Sequence, residues 1–486
     1  MSVPKIKRFI ERFNADTSFR NEFLKNSENG MKILGLDLDP EIVRPVWDRT
    51  VQSENTEYKR QHGRFPVGSA LMEEYRNFYR SKLELNAQVQ SESSPRHPQL
   101  KVWRDRQVAR LSHQVMDANA QIVVHSPVAF ELTAGCSVGC YFCSLNAPKL
   151  SRVWEYDASN QALWRDVLGV VSEVLGVAAG WGFCYWATDP LDNPDYEKFG
   201  VDFAEILGRF PQTTTAKPLD DIERTRKLLK LSASYTPRII NRFSILTTRG
   251  LRELHSAFSP DELLRVELVT LNPDGDTVKT KSGRFWKLCN DKPEVWAKET
   301  SKLRRMTANQ LTDSEWDLLY ESLNERTCAC VSGFLFNMVE RTVKLISPCV
   351  PNETFPNGYI TFSEAEFTDA EDLRERLMIM IQEGTKTDLD AAQTLRFHPD
   401  LQFEKAPSGF ALISKVTRLN FENPAQVDYV RYLGEKVMSG DQTAASIALT
   451  AQYKFGIHPA VTHSTLNSFF KRGVLQEIES ESPSRA

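Results

Sequence analysis

The chain has 486 residues, a length that suggests about three domains. Lys and Arg number 60 against 64 Asp and Glu, and the net charge of −4 gives no reason to expect nucleic acid or an acidic lipid surface as a partner. With 41% apolar and 26% charged residues a mostly disordered chain is excluded, and eight cysteines are too few for a disulfide-built secreted scaffold.

The first ten residues interleave charge with apolar groups and show no apolar core or cleavage site, so no secretory signal is expected. Ile6, Phe9, Ile10 and Phe13 recur at helical spacing and predict an amphipathic helix. A second helix is expected from about Asp16, burying Phe19 and Phe23. A further short one should start at Asp39, where a capping residue precedes Pro40. Residues 1–50 thus read as a small helical unit. Residues 51–124 read as a second helical region, with long patterns at 69–88 and 99–119 separated by the linker-like stretch 91–98.

Residues 167–187 have about the length of a membrane span, but they contain Glu173 and are punctuated by Gly176, Gly180 and Gly182. They read instead as a helix end, a glycine-rich turn and a buried strand at 183–187. No membrane association is expected, and a reducing, cytoplasmic setting follows. There, clustered thiols serve metal binding or chemistry.

From 125 to 394, β-rich runs at 128–133, 183–187, 213–216, 239–247, 265–271 and 342–347 alternate with helical stretches. That alternation predicts βα units around a parallel sheet, open or closed into a barrel. Between 395 and 478, paired strands at 410–414 and 416–421 precede three helices near 425–438, 443–454 and 459–472, a winged-helix arrangement. Residues 479–486 read as a disordered tail.

Three cysteines stand within 136–143, spaced C-x3-C-x2-C on a glycine-containing loop after a predicted strand. Three thiolates so placed can ligate three irons of a [4Fe-4S] cluster and leave the fourth open. A zinc loop with a distant fourth ligand is the competing reading. The pattern resembles the radical S-adenosylmethionine (SAM) superfamily, in which such a cluster chelates SAM and cleaves it to a 5′-deoxyadenosyl radical. The resemblance implies Cys136, Cys140 and Cys143 as cluster ligands and Phe142 as the aromatic residue near the adenine. Where that superfamily carries a Gly-Gly-Glu-Pro motif against the SAM amino group, this chain has Ala187, Thr188, Asp189 and Pro190. A carboxylate is kept, the glycines are not, and Asp189 also suits a turn or helix cap. Arg242 and Ser244 fall on the strand where the family contacts the ribose and carboxylate of SAM. A plain strand-end arginine is the alternative.

Residues 425–477 hold five Lys and Arg against four acids, too even a balance for a phosphate-binding surface. The segment 410–476 resembles the precursor-recognition modules of ribosomal peptide maturation enzymes, where a leader peptide adds a strand to a β-ribbon. An inert cap on the barrel is the competing reading. Within the first 50 residues, the stretch from Phe13 to Phe23 followed by Gly35 to Glu41 looks like the helical leader sequences of nitrile-hydratase-type and nitrogen-fixation-type precursors. It fits a docking mimic, a dimer element or a plain packing unit.

Of the remaining thiols, Cys184 reads as a buried apolar residue and Cys289 has no partner by spacing. Cys349, bracketed by Pro348 and Pro351 after a β-rich run, is expected near the top of the barrel. Together with Cys328 and Cys330, these features resemble the proteusin-type radical SAM peptide epimerases. That likeness implies a partial (β/α)6 radical SAM barrel with a helical N-terminal region and a C-terminal winged-helix-like peptide-recognition domain. It implies an isomerase that takes a Cα hydrogen from an L-residue of a ribosomally made precursor peptide and returns hydrogen from a cysteine to give the D-residue. Cys349 is the first candidate donor, followed by Cys330 and Cys328. Structural thiols or auxiliary-cluster ligands are the other readings of Cys328 and Cys330. The implied partners are the precursor peptide with its leader and an electron donor of flavodoxin or ferredoxin type. The competing functions are a thioether- or carbon–carbon-crosslinking maturase, a non-catalytic precursor-binding chaperone and a winged-helix regulator with an iron–sulfur sensor, against which the near-neutral carboxyl-terminal domain argues.

Overall fold

The apolar spacing at the amino terminus becomes the helix Val3–Ala15, whose Ile6, Phe9 and Phe13 are buried against Phe19 and Phe23 of the next helix, Thr17–Lys25. Asp16 caps that second helix by accepting the Phe19 amide at 3.1 Å. These details come from a computed structural model that describes residues 3–68, 70–116, 120, 122–307 and 311–477. The expected tail at 479–486 lies outside the described residues.

Asp39 and Pro40 do start a turn of helix, but it is a 3-10 turn over Pro40–Val43 that leads into Arg44–Trp47 and Arg49–His62. The long helix Ala70–Glu92 runs into the stretch expected to be a linker, which shrinks to residues 93–97 before the helix Pro98–Ser112. The amino-terminal unit is fastened by polar contacts. Arg8 donates to the His255 carbonyl at 2.9 Å. The fully buried Asp16 receives Arg12 at 2.7 Å and Arg252 at 2.8 Å from both of its donating nitrogens.

The remainder is a mixed α/β structure with several sheets. Its strands are β1 (Ser126–Glu131), β2 (Thr133–Ala134), β3 (Arg152–Val153), β4 (Thr214–Thr215), β5 (Asn241–Ile245), β6 (Val266–Thr270), β7 (Val331–Asn337), β8 (Thr342–Pro348) and β9 (Tyr359–Glu366). Strands β4, β5 and β6 form a parallel sheet, and β7 runs parallel to β1. Phe183 is bridged parallel to Ala129 on the other side of β1. Among the described residues no ladder closes these strands into a complete barrel.

The run 183–187 differs from its expected strand, since only Phe183 joins the ladder. The Ala187 amide is taken by the Glu131 carboxylate at 2.9 Å, and Asp189 with Pro190 opens a 3-10 turn over Pro190–Asp192. Strand β7 was hidden in the sequence because it is buried on both faces and lacks alternation. It pairs antiparallel with β8, and β8 with β9. Because β8 reverses direction, Pro348 and Cys349 arrive beside the amino-terminal end of β1, not at the carboxyl ends of the parallel strands where Cys349 was expected.

The carboxyl-terminal unit has an antiparallel ribbon of β10 (Gln402–Ala406), β11 (Gly409–Ile413) and β12 (Arg418–Glu422), followed by helices Val427–Ser439, Ala444–Phe455 and Pro459–Lys471. The sequence pattern did not mark β10, whose Gln402, Glu404 and Lys405 are exposed. Phe410, Phe421, Leu433, Leu466 and Phe469 make the core of this unit. The unit is held to helix Pro98–Ser112 by Arg106, which donates from Nε and Nη2 to the two Glu477 oxygens, each at 2.9 Å, and stacks 4.0 Å above the Phe470 ring. A Cβ on Gly473 would stand 2.7 Å from the Arg110 amide nitrogen, so the two surfaces meet backbone to backbone. Among the described residues no helix is long and apolar enough to cross a membrane.

Candidate functional site

The cysteine loop leaves β1 through β2, which pairs with β3, and it turns at Gly135 (φ +88°) and Gly139 (φ +62°). Two distant segments hold it from outside. Asp192 accepts the Ser137 amide and hydroxyl, and Lys217 bridges the two residues. Arg284 donates to the carbonyls of Cys140 at 2.7 Å and Ala147 at 2.6 Å, while its own amide bonds the Cys143 carbonyl at 2.9 Å. Ser282 donates to the Ser144 carbonyl at 2.6 Å.

Cys136, Cys140 and Cys143 are free thiols and half-buried. Burial pushes Cys136 up to about 11, with Asp189, Asp192 and Cys140 adding to the rise. Burial also raises Cys140, and neighbouring Cys143 adds to it. Such thiols keep their protons near neutrality until a metal displaces them. Among the described residues no three His, Cys, Asp or Glu side chains close on a single ion. Thiolates at the corners of an iron–sulfur cube each take a different iron, so the donor set is compatible with three such corners. Phe142 is half-buried against the cluster of Phe285 and Cys289, with Lys279 Nζ 4.9 Å from its ring centre. Cys289 is thus a buried residue of the helix Gly283–Asp291. Tyr141 is exposed beside it.

Glu131 is buried at the end of β1 and accepts from the Ala187 amide and, at 3.0 Å, from Asn337 Nδ2. Burial outweighs both bonds and raises its carboxyl to about 7. Thr188 is half-buried, and Asp189 is 4% exposed. The Asp189 carboxylate accepts the Leu191 amide at 3.0 Å, the Thr215 hydroxyl at 2.7 Å and the Ala216 amide at 2.7 Å. It is therefore a turn cap that also ties the turn to β4. Burial still raises it to about 6, and no cation pairs with it among the described residues. Its negative charge reaches Cys136 and Cys140.

A second group gathers around β5. Strand alternation sends Phe243 and Ile245 into an apolar core and leaves Arg242 and Ser244 half-buried on the opposite face. Arg242 Nε donates to Glu267 on β6 at 2.9 Å, and Lys82 Nζ approaches the other Glu267 oxygen at 3.5 Å. The Tyr185 hydroxyl donates to Gln212 at 2.5 Å. Cys330 packs with Tyr185 against Ala129 and Trp186. Cys328 is exposed and Cys330 half-buried, yet loss of hydration raises both thiols, Cys330 to about 12. Arg242 acts electrostatically on both thiols, and Cys143 acts on Cys328. Cys330 stands just before β7, its carbonyl taking the Ser126 amide at 2.8 Å at the amino-terminal end of β1, and it also packs with Val350 against Leu111 and Val115. Glu267, Tyr185, Gln212 and Lys82 were missed in the sequence. Glu267 is matched to Arg242 only by cross-strand register, which the sequence of either strand alone does not show.

Cys349 follows β8, and the Gly358 carbonyl that takes its amide also takes the hydroxyl of Thr327, the residue before Cys328. Cys349 is 1% exposed, its amide bonds the Gly358 carbonyl at 2.9 Å, and its charged neighbours are Arg110 and Asp400. Burial raises its thiol to about 12. Cys184 is buried in the main core.

No protein-family model matches the chain, and no solved structure matches it significantly. It is 32% identical over 480 residues to "Uncharacterized protein y4wI" of Sinorhizobium fredii (strain NBRC 101917 / NGR234), covering 98% of this chain and 88% of that protein. The chain belongs to the family of that protein.

Proposed function

We propose that this member of that family is a radical SAM peptide epimerase acting on a ribosomally made precursor. The observation that carries the reading is the C-x3-C-x2-C loop that leaves β1, fastened by Asp192 and Arg284, with the Asp189 carboxylate, paired with no cation among the described residues, on the same turn as Asp192. On this reading the parallel strands form a partial (β/α)6 barrel, and the carboxyl-terminal unit is a winged-helix-like domain that takes the leader peptide. Cys136, Cys140 and Cys143 would hold a [4Fe-4S] cluster, and Asp189 offers an uncompensated carboxylate beside them for the SAM amino group. When bound, the cluster and SAM supply the 5′-deoxyadenosyl radical that removes a Cα hydrogen.

The chain's own residues do the rest. Cys328 or Cys330 gives a hydrogen atom to the opposite face of Cα, which inverts the centre and leaves a sulfur-centred radical. One electron from a flavodoxin- or ferredoxin-type donor and one proton restore the thiol. Cys349, buried beside Arg110, is less accessible for this step than the exposed Cys328 and the half-buried Cys330.

Reaction of the reconstituted protein with a precursor peptide in heavy water tests the reading. The expected product carries deuterium at Cα and an inverted centre. A crosslinked product without Cα deuterium assigns the chain to the crosslinking maturases, and bound but unchanged peptide assigns it to the chaperones.

A further inference from the structure

A cleft of about 460 Å³ opens where the carboxyl-terminal unit meets the rest of the chain. Helix Pro98–Ser112 ends against it, the segments before β7 and after β8 flank it, and the paired ends of β10 and β11 close one side. Its size suits a small ligand group, and boundaries between units are where such sites collect. Val350, Pro399 and Ile413 supply apolar lining, and the exposed Gln402 and Lys415 leave the mouth open to solvent.

The charged lining is uneven. Two carboxylates, Glu325 and Asp400, face one ammonium, Lys415. Glu325 is 7% exposed, and Lys415 reaches it at 3.4 Å from a side chain that is 75% exposed. An exposed lysine holds such a partner only weakly. Burial raises the Glu325 carboxyl, Lys415 offsets part of the rise, and Asp400 adds to it. Asp400 accepts Gln114 Nε2 at 2.6 Å. His398 beside it is pushed down to about 4 by burial and is uncharged near neutrality. The charge of Arg110 also reaches Asp400, but its donors are spent on Gln107, Gln114, Ser347 and Pro348.

Apolar lining that leads to under-compensated carboxylates matches a cation carried on a methylene stem, which buries the stem and pairs the head. We propose that the cleft binds an arginine or lysine side chain of a peptide, its head displacing Lys415 from Glu325 and taking Asp400 as a second acceptor. The open mouth leaves room for the rest of the peptide. A guanidinium offers donors to two acceptors at once and should bind better than an ammonium. Glu325 lies three residues before Cys328, and Val350 directly follows Cys349, so the anchored residue is held beside both segments. The site does not depend on the epimerase reading, and heavy-water labelling of a precursor can fail while cation binding stands.

The test uses the full-length protein and acetyl-arginine methylamide, titrated by saturation-transfer NMR beside its uncharged citrulline counterpart. The arginine compound is expected to bind at least ten-fold more tightly than the citrulline one. Glu325→Gln should raise its Kd about ten-fold and Asp400→Asn several-fold. Lys415→Met, at an exposed position, should lower the Kd several-fold by removing the competing cation. Circular dichroism checks that each variant is folded. Equal affinity for the two compounds would overturn the proposal, as would an unchanged Kd in folded Glu325→Gln. Loss of binding in Lys415→Met would show that the cleft takes an anion and would overturn it too. Binding of free agmatine without binding of the acetylated methylamide would overturn the assignment to a peptide.

Discussion

Asp192 grips Ser137 twice, taking its amide on one carboxylate oxygen at 2.8 Å and its hydroxyl on the other at 2.5 Å. Lys217 closes the arrangement at 2.9 Å from the hydroxyl-bound oxygen. Ser137 lies between Cys136 and Cys140, so the grip sets the first corner of the loop. Asp192→Ala is expected to lower iron retention on the order of ten-fold after anaerobic reconstitution, as loss of outer-shell support does at metal sites. Asp192→Asn should keep part of it. Iron and sulfide assays beside circular dichroism separate this from unfolding, and full iron content in Asp192→Ala would refute it.

Replacing Cys136, Cys140 and Cys143 together by alanine should abolish iron binding and the absorbance of the cluster. Under the epimerase reading, Cys328→Ala or Cys330→Ala should still yield 5′-deoxyadenosine while losing most D-residue. Cys349→Ala should keep it. Chiral amino-acid analysis of digested product decides the matter. If only Cys349→Ala loses the D-residue, the donor lies beside Arg110 and that loop must open during turnover.

Glu131 sets a pH dependence of stability. Its carboxyl titrates near 7 in the fold against an ordinary value of 4.5, so the folded state holds the proton more tightly. The contribution is fully present below about 4.5 and is lost as pH rises through about 7. Relative to Glu131→Gln, the wild type should lose up to roughly 3 kcal/mol between those limits. Denaturant titrations at about pH 5 and about pH 8 read the difference. Parallel profiles for the two proteins would show that the buried carboxyl is not the cause.

The Arg106–Glu477 pair couples the carboxyl-terminal unit to the rest. With Arg106 1% exposed and Glu477 12% exposed at the side chain, cutting either partner strands a charge. Glu477→Ala should destabilise by roughly 3–5 kcal/mol, and Arg106→Met with Glu477→Leu together should recover much of that. Thermal unfolding of the two singles and the double measures the coupling. Additive effects would show that the pair is not a unit.

The cysteine loop was legible because three thiols in eight positions stand out against any background. The face of β5 was legible because alternation separates Arg242 and Ser244 from Phe243. Other features were not. Strand β7 carries no period, since both its faces are buried, and without that strand the reversal that takes Cys349 away from the carboxyl ends of the parallel strands has no sequence sign. The segment after Phe183 looked like a strand from its apolar content, but Glu131 captures the Ala187 amide that a ladder would need. Strand β10 is mostly polar and exposed, so pairing with β11 and not side-chain burial makes it a strand. The role of Glu267 depends on cross-strand register, which no single segment displays.

Gly283 presses so closely on the cysteine loop that a Cβ there would lie 2.7 Å from the Cys143 carbonyl oxygen, and the Arg284 side chain fastens Cys140 and Ala147. The thiols are made early, and the residues that shape them follow about 140 positions later. On the ribosome the loop therefore leaves the exit tunnel well before its support does. It acquires its packed form only after residues 282–284 have been synthesised and the intervening strands have assembled. A nascent chain arrested ahead of that point carries three accessible thiols on an unsupported loop, and they should react with alkylating agents at rates typical of unfolded peptide.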